Sequence, residues 1–316
     1  MYNILTLTLN PAIDFYIVLS DCLNKGKVNR AERSFKIVGG KGINVATYLS
    51  DLGLKDIGVT GLLGFDNAYY FRNHFEKKKL HDNFLYFKGS TRENIKILEN
   101  KDAITTDINL ESLYIEQPSI KDLKVMIEHS IDKYDYYIFS GSIPKWMDDN
   151  IYFELGTFLK DNNKKIIVDT SGVPLKKAID LHPFAIKPNI DEFYELYDKR
   201  LEFNCMLKEI DNLIDGGIDY VLLTMGAKGA IVADKNRKLK VSGKLHNKGS
   251  SVGAGDVFLA GFVYGIINKY SIEELAMFST AVSLALIESK DRSLPDVETI
   301  KGNYCKRVVL EEINRY

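Results

Sequence analysis

Seven short apolar runs recur along this chain of 316 residues, at 4–9, 57–62, 136–139, 165–169, 185–187, 220–224 and 230–233. Apolar residues at three- and four-residue spacing predict helices over 43–52, 67–78, 120–131, 148–160, 203–214, 254–268 and 272–287, with Gly53 suited to end the first of them. Few folds are open to a chain that alternates in this way. Its strands must be buried by helices reached through crossover connections, which dictates an α/β protein built on a mostly parallel sheet. No linker-like run and no internal repeat interrupts the pattern, so a single domain spanning 1–316 is expected.

The alternation fails twice, over about 15–38 and 84–110, where short polar-punctuated strands follow one another without a helix. Long excursions from a compact domain commonly serve as lids or interfaces, and these two are expected to pair as a small separate sheet. Forty-two basic against forty-three acidic residues leave a net charge of −1, which argues against a nucleic-acid surface. Cys22, Cys205 and Cys305 are far apart and the five histidines lack ligand spacing, so no structural zinc is expected. The N-terminus reads as a strand without a basic leader, and no apolar run approaches membrane-spanning length; a cytoplasmic protein is expected, with no membrane partner.

Open α/β sheets bind ligands at the carboxyl ends of their strands. The run Gly249-Ser250-Ser251-Val252-Gly253-Ala254-Gly255-Asp256, directly before an apolar helix, has the required character. Gly253 and Gly255 permit a turn that no β-carbon obstructs, and the helix start offers free N–H groups to an anion. Asp256 can then take a proton from an alcohol beside it. A tight turn with an acidic N-cap satisfies the same local pattern. Two familiar phosphate loops do not fit: Phe258 stands where a dinucleotide fingerprint needs its third glycine, and no Gly-x-x-x-x-Gly-Lys-Ser/Thr occurs.

Other strand ends carry similar groups. Gly39-Gly40-Lys41-Gly42-Ile43-Asn44 offers backbone amides beside the flexible charge of Lys41. Asp14 can accept two sugar hydroxyls, or serve as a turn residue after Pro11. Asn189 and Glu192, three apart at a helix start, offer oxygens suited to hydrated Mg²⁺ or to a capping box. The glycines of Thr224-Met225-Gly226-Ala227-Lys228-Gly229 let a nucleotide lie against the main chain, and equally suit a plain hairpin. Arg92 and Asn94 in the second excursion, with Lys27 and Arg30 in the first, are candidates to grip a phosphate or to stand solvated.

Together, and in this order, Thr8-Leu9-Asn10-Pro11-Ala12-Ile13-Asp14, the Gly39–Asn44 loop, Ser140-Gly141-Ser142-Ile143-Pro144, Asp169-Thr170-Ser171-Gly172, Lys187-Pro188-Asn189 and Val252-Gly253-Ala254-Gly255-Asp256 resemble the ribokinase/PfkB family of carbohydrate kinases. The resemblance is to its phosphosugar branch and spans nearly the whole chain. It implies a ribokinase-like three-layer α/β sandwich with a mostly parallel central sheet, a small β lid, and two copies joined as a homodimer through that lid. It implies transfer of the γ-phosphoryl of ATP, with Mg²⁺, to a sugar hydroxyl. Asp256 would be the base and Gly253, Ala254 and Gly255 the anion hole. Asp14, Gly39, Gly40, Asn44, Asn94 and Ser140 would bind the sugar, and Lys41 and Arg92 its phosphate. Asn189 and Glu192 would organise the metal. Lys187, Thr224, Gly226, Gly229, Ser251, Gly253 and Gly255 would line the ATP site.

Within the branch, Val28-Asn29-Arg30-Ala31-Glu32 and Thr91-Arg92-Glu93-Asn94 are most similar to members acting on fructose 1-phosphate, with tagatose 6-phosphate and fructose 6-phosphate as rival substrates. The chain departs from the branch at Trp146, over 106–111, at Ser250-Ser251 and over 289–294, where a glycine-rich turn is lacking. A catalytically idle sugar-phosphate sensor is the competing class. A dinucleotide-dependent dehydrogenase shares the α/β rhythm but not the fingerprint.

Overall fold

A computed structural model describes residues 3–313 except 100, 102, 103, 113, 114, 116–119, 248 and 290. A short part of the second excursion therefore lies outside the described residues. The strands are β1 (Ile4–Thr8), β2 (Ala12–Leu19), β3 (Arg33–Gly39), β4 (Ile57–Gly64), β5 (His81–Asp82), β6 (Leu85–Phe87), β7 (Glu93–Glu99), β8 (Ile104–Ile108), β9 (Tyr136–Ser140), β10 (Lys165–Asp169), β11 (Ala185–Ile186), β12 (Tyr220–Thr224), β13 (Ala230–Ala233), β14 (Lys238–Gly243) and β15 (Val308–Ile313). The main helices are α1 (Lys41–Asp51), α2 (Tyr69–Lys77), α3 (Ile120–Ser130), α4 (Ile151–Asp161), α5 (Gly172–Ile179), α6 (Ile190–Leu196), α7 (Phe203–Asp215), α8 (Ala254–Ile267) and α9 (Ile272–Glu288).

The large sheet runs β15-β14-β13-β12-β11-β10-β9-β1-β4-β5, with β6 also paired to β4. From β12 to β5 the neighbours are parallel, while β12 through β15 are joined antiparallel. Successive side chains of a strand point to opposite faces, so both faces of this sheet must be covered. Ile4, Tyr136 and Ile138 pack into one apolar cluster with Ile43 of α1, Phe262 of α8 and Phe278 of α9. Their neighbours Leu5, Tyr137 and Phe139 pack into the other, with Leu123 of α3, Leu155 of α4 and Ile210 of α7. Each such side chain contributes about 1.5–3 kcal/mol relative to an exposed one. The result is the three-layer α/β sandwich, and among the described residues no helix is long and apolar enough to cross a membrane.

The excursions meet in a second sheet, ordered β3-β2-β7-β8. β2 lies parallel to β7, with Asp14 opposite Asn94, and antiparallel to β3, with Asp14 opposite Ile37. The second excursion divides differently from the expected 84–110, because β6 pairs with β4 of the large sheet and only β7 and β8 enter the small one. Several elements escape the periodicity, three of them for reasons visible in the structure. α5 is short and carries Pro174 in its first turn, β15 is an edge strand with none of its residues fully buried, and β14 opens on a lysine. That lysine, Lys238, is 1% exposed and is held by Asp211 at 2.8 Å and the Leu207 carbonyl at 3.1 Å, so its strand hides a charge where an apolar residue is looked for. α1 starts at Lys41 rather than 43, with Gly40 as its N-cap, and α4 starts at Ile151 after a turn made by Asp148.

Candidate active site

The amino end of α8 is formed by Gly253, whose backbone is left-handed at φ 77°. A β-carbon there would stand 2.9 Å from Arg292 Nη2 and 3.2 Å from Tyr48 Oη, side-chain tips that can give way, so it is the left-handed conformation that calls for glycine. The first helical N–H groups have no acceptor within the helix. One of them is used locally, since the Ala254 N–H donates to the Ser251 carbonyl at 3.0 Å. The amide of Ala254, expected in an anion hole, is thus engaged within the turn, while Gly253, Gly255 and Asp256 line the cavity beside it.

Asp256 lies in that first turn and is buried. Asn44 Nδ2 donates to its Oδ2 at 2.7 Å, leaving Oδ1 as the oxygen able to take a proton. Burial pushes the Asp256 carboxyl up to about 6 and the charge of Asp169 adds to the rise, against the opposing pull of Asn44, Lys41 and Lys187. Above about pH 6 the group is thus ionised yet more basic than a free carboxylate, which suits a general base.

Asp169, at the end of β10, is the hub of the surrounding charges. Its Oδ1 lies 3.0 Å from Lys187 Nζ and 3.4 Å from Lys41 Nζ, and its own side chain is fully buried. Burial by itself would raise the Asp169 carboxyl, but the two lysines outweigh it and hold the group below its ordinary value. The same attraction, chiefly from Asp169, raises Lys41 against its desolvation. Ser140, expected to bind sugar, has no exposed surface and donates to Asp169 Oδ2 at 3.3 Å instead. It supports the hub from behind.

Asn189 and Glu192 form a complete capping box at α6. Asn189 Oδ1 accepts the N–H groups of Asp191 and Glu192 at 2.9 and 2.8 Å, so that oxygen does not fit as a direct metal ligand. Glu192 accepts the Asn189 N–H through Oε2 at 2.8 Å and meets Lys41 through Oε1 at 3.4 Å, and each oxygen keeps a lone pair. Among the described residues no group of three or more His, Cys, Asp and Glu side chains is arranged to hold a metal ion.

A cavity of about 690 Å³ opens beside the turn. Thr224, Gly226 and Gly229 form one wall, and Ser251, Gly253, Gly255 and Asp256 form its floor. Lys187 reaches it too, so every residue expected at a nucleotide site lines one space, and this space also takes in Lys41, expected at the phosphate already on the substrate, and Asn189, expected at a metal. Thr280, Ser283, Leu284 and Ile287 of α9 also line it, and they give no local signal in the sequence because they read only as part of a largely apolar helix.

Across α1 lies the edge of the small sheet. Asn94 Nδ2 donates to Asp14 Oδ1 at 3.0 Å, and Gly39 lies so close to Asp14 that a β-carbon would stand 3.1 Å from Oδ2. Gly40 and Asn44 then lead from this edge to Asp256. Arg92 is directed elsewhere than expected: it donates to the carbonyls of Pro11, Asn10 and Leu110 at 3.2, 3.1 and 3.4 Å, tying the turn after β1 to the segment after β8, and keeps only its remaining N–H groups for a ligand. Lys27 and Arg30 stand exposed in the connection between β2 and β3. Trp146 lines a small void with Asn10, Pro11 and Pro144.

The sequence profile of the pfkB family of carbohydrate kinases matches residues 8–299. The chain belongs to the pfkB family. This pfkB-family kinase is 34% identical over 305 residues to a 1-phosphofructokinase of Borreliella burgdorferi, covering 96% of this chain and 94% of that one. It is 30% identical over 285 residues to a tagatose-6-phosphate kinase of Staphylococcus epidermidis, covering 89% and 91%. Its fold superposes with TM-score 0.87, at 26% identity and over 99% of this chain and 100% of the other, on a Thermotoga maritima structure described as a possible 1-phosphofructokinase. Both the ribokinase-like sandwich and its small β-sheet accompany this pfkB membership.

Proposed function

We propose that the protein transfers the γ-phosphoryl group of ATP to fructose 1-phosphate, giving fructose 1,6-bisphosphate and ADP. The observation that carries this reading is the position of Asp256, which is buried on the floor of the nucleotide-sized cavity and hydrogen-bonded to Asn44 at 2.7 Å on the side of the sugar edge. In-line transfer needs positioning and charge neutralisation more than covalent help. The sugar hydroxyl gives its proton to Asp256 Oδ1 as its oxygen bonds to the γ-phosphorus, and the bond to the bridging oxygen breaks to release ADP. The amides of Gly253, Gly255 and Asp256 and the charge of Lys41 receive the transferred group. Asp14, Asn94, Gly39 and Gly40 hold the sugar from the small sheet, which acts as a lid that excludes water. Glu192 would help to hold Mg²⁺, directly or through water, and the ion would supply further charge neutralisation.

The similarity to 1-phosphofructokinases supports fructose 1-phosphate as acceptor, and the tagatose-6-phosphate kinase relative favours a second reading with a 6-phosphate. A ketohexofuranose turned end for end presents either phosphate in a similar place, so a few lid contacts decide. ADP release with ATP, Mg²⁺ and, separately, fructose 1-phosphate, fructose 6-phosphate, tagatose 6-phosphate and fructose tests both. Turnover is expected with fructose 1-phosphate; preference for a 6-phosphate moves the assignment to the second reading, and silence on all four leaves the sensor. The small sheet exposes Phe35, Ile104 and Ile108, apolar surface that supports a homodimer through this lid. Sedimentation at micromolar concentration is expected to give a dimer, and a monomer would remove it.

A further inference from the structure

The turn after α9 holds an arginine in an unusual way. Arg292 has a left-handed backbone, φ 60°, uncommon for a side chain with a β-carbon. Asp291 keeps the turn in shape, its Oδ1 accepting Ser289 Oγ at 2.9 Å, the Ser293 N–H at 3.2 Å and Ser293 Oγ at 2.7 Å. The turn directs Arg292 Nη2 to the carbonyl of Val252 at 3.1 Å. Tyr48 closes the other side of this contact: burial raises its phenol and Arg292, by charge and by hydrogen bond, pulls it back.

The consequence lies in the peptide plane. The Val252 carbonyl and the Gly253 N–H belong to one rigid trans peptide, in which they point in opposite directions. Fixing the carbonyl toward Arg292 fixes the N–H away from it, and Gly253 itself lines the cavity. The Ala254 N–H to Ser251 carbonyl bond closes a turn around this peptide, with Gly253 in its third position at φ 77° and ψ 1°, but a glycine there is also at home in the turn whose central peptide is flipped, so the contact from Arg292 to the Val252 carbonyl selects between the two orientations. We infer that Arg292 is a positioning residue for phosphoryl transfer, aiming the Gly253 N–H at the transferred group through its hold on the Val252 carbonyl. This rests on the kinase reading above.

Arg292→Met keeps the length of the side chain and removes both donors and charge. Its kcat is expected to fall about 10²-fold, the usual cost of a misaimed oxyanion donor, with KM for ATP within about threefold of the parent. Arg292→Lys, which retains a donor within reach of Val252, is expected to recover part of that loss. A merely structural role would lower ADP affinity and affinity for ADP with aluminium fluoride, a mimic of the phosphoryl in flight, alike; the inference requires the mimic to weaken and ADP to hold. An Arg292→Met protein within about threefold of parental kcat, or one that weakens both ligands equally, overturns it. Parental turnover in the same assay separates the failures: an inactive parent removes the kinase reading and this one with it, whereas an active parent with an equally active variant removes this one alone.

Discussion

Replacing Asp256 with Asn is expected to lower kcat by roughly 10²–10⁴-fold, the range for loss of a positioned general base, while KM for ATP stays within about threefold. The substitution preserves shape, and the new amide can turn its oxygen toward Asn44 Nδ2 in place of the carboxylate it replaces. Nothing else in the cavity wall changes. Stability should move the other way. The carboxyl is raised to about 6 chiefly by burial, so its share of folding stability is present in acid and lost as pH rises through that value. At pH 8 the parent carries a buried charge that the variant lacks, and Asp256→Asn should therefore melt at the same temperature as the parent or higher. Steady-state kinetics and thermal melts on one preparation test both halves. Retained turnover would sink the base assignment, and a variant that is both inactive and unstable would return the loss to structure.

The buried acid in the first turn of α8 could be placed from the sequence because its signal is local: two glycines, Asp256 and an apolar helix in one run of residues. The sheet was legible for the same reason, since strands buried on both faces, such as β4 with Ile57, Val59, Leu62 and Leu63, show as dense apolar runs. The rest depended on where distant residues meet. Asp169 and Lys41 are 128 positions apart, and no spacing reveals that one neutralises the other. Ser140 and Arg92 stand in the right segments, but their side chains turn to Asp169 and to three carbonyls, directions that only the assembled sheet determines. Asn189 and Glu192 satisfy a capping box with the same oxygens that a metal would use. Arg292 lies where the sequence shows only a missing glycine turn, and its role follows from the contact with Val252.

The charge hub yields the second large effect. Asp169→Asn keeps the shape of the side chain but leaves Lys187, whose side chain is 4% exposed, without its carboxylate at 3.0 Å. Removing one partner of a buried pair costs about 3–5 kcal/mol, which for a chain of this size lowers the melting temperature by about 5 °C or more. Lys41, at 38% side-chain exposure, can turn to Glu192 or to water and contributes little to that loss. Because the lysines hold the Asp169 carboxyl low, its stabilisation is present above the ordinary carboxylate value and disappears as pH falls through the folded one. The gap between parent and variant should thus be full at neutral pH and close in acid. Activity carries a separate signature. The charge of Asp169 raises Asp256, so its removal must make Asp256 more acidic and move the low-pH limb of kcat/KM from about 6 to lower pH in the activity that remains. A limb that stays in place or moves up would sink the electrostatic coupling, and an unchanged melting temperature would show that Lys187 finds its compensation elsewhere.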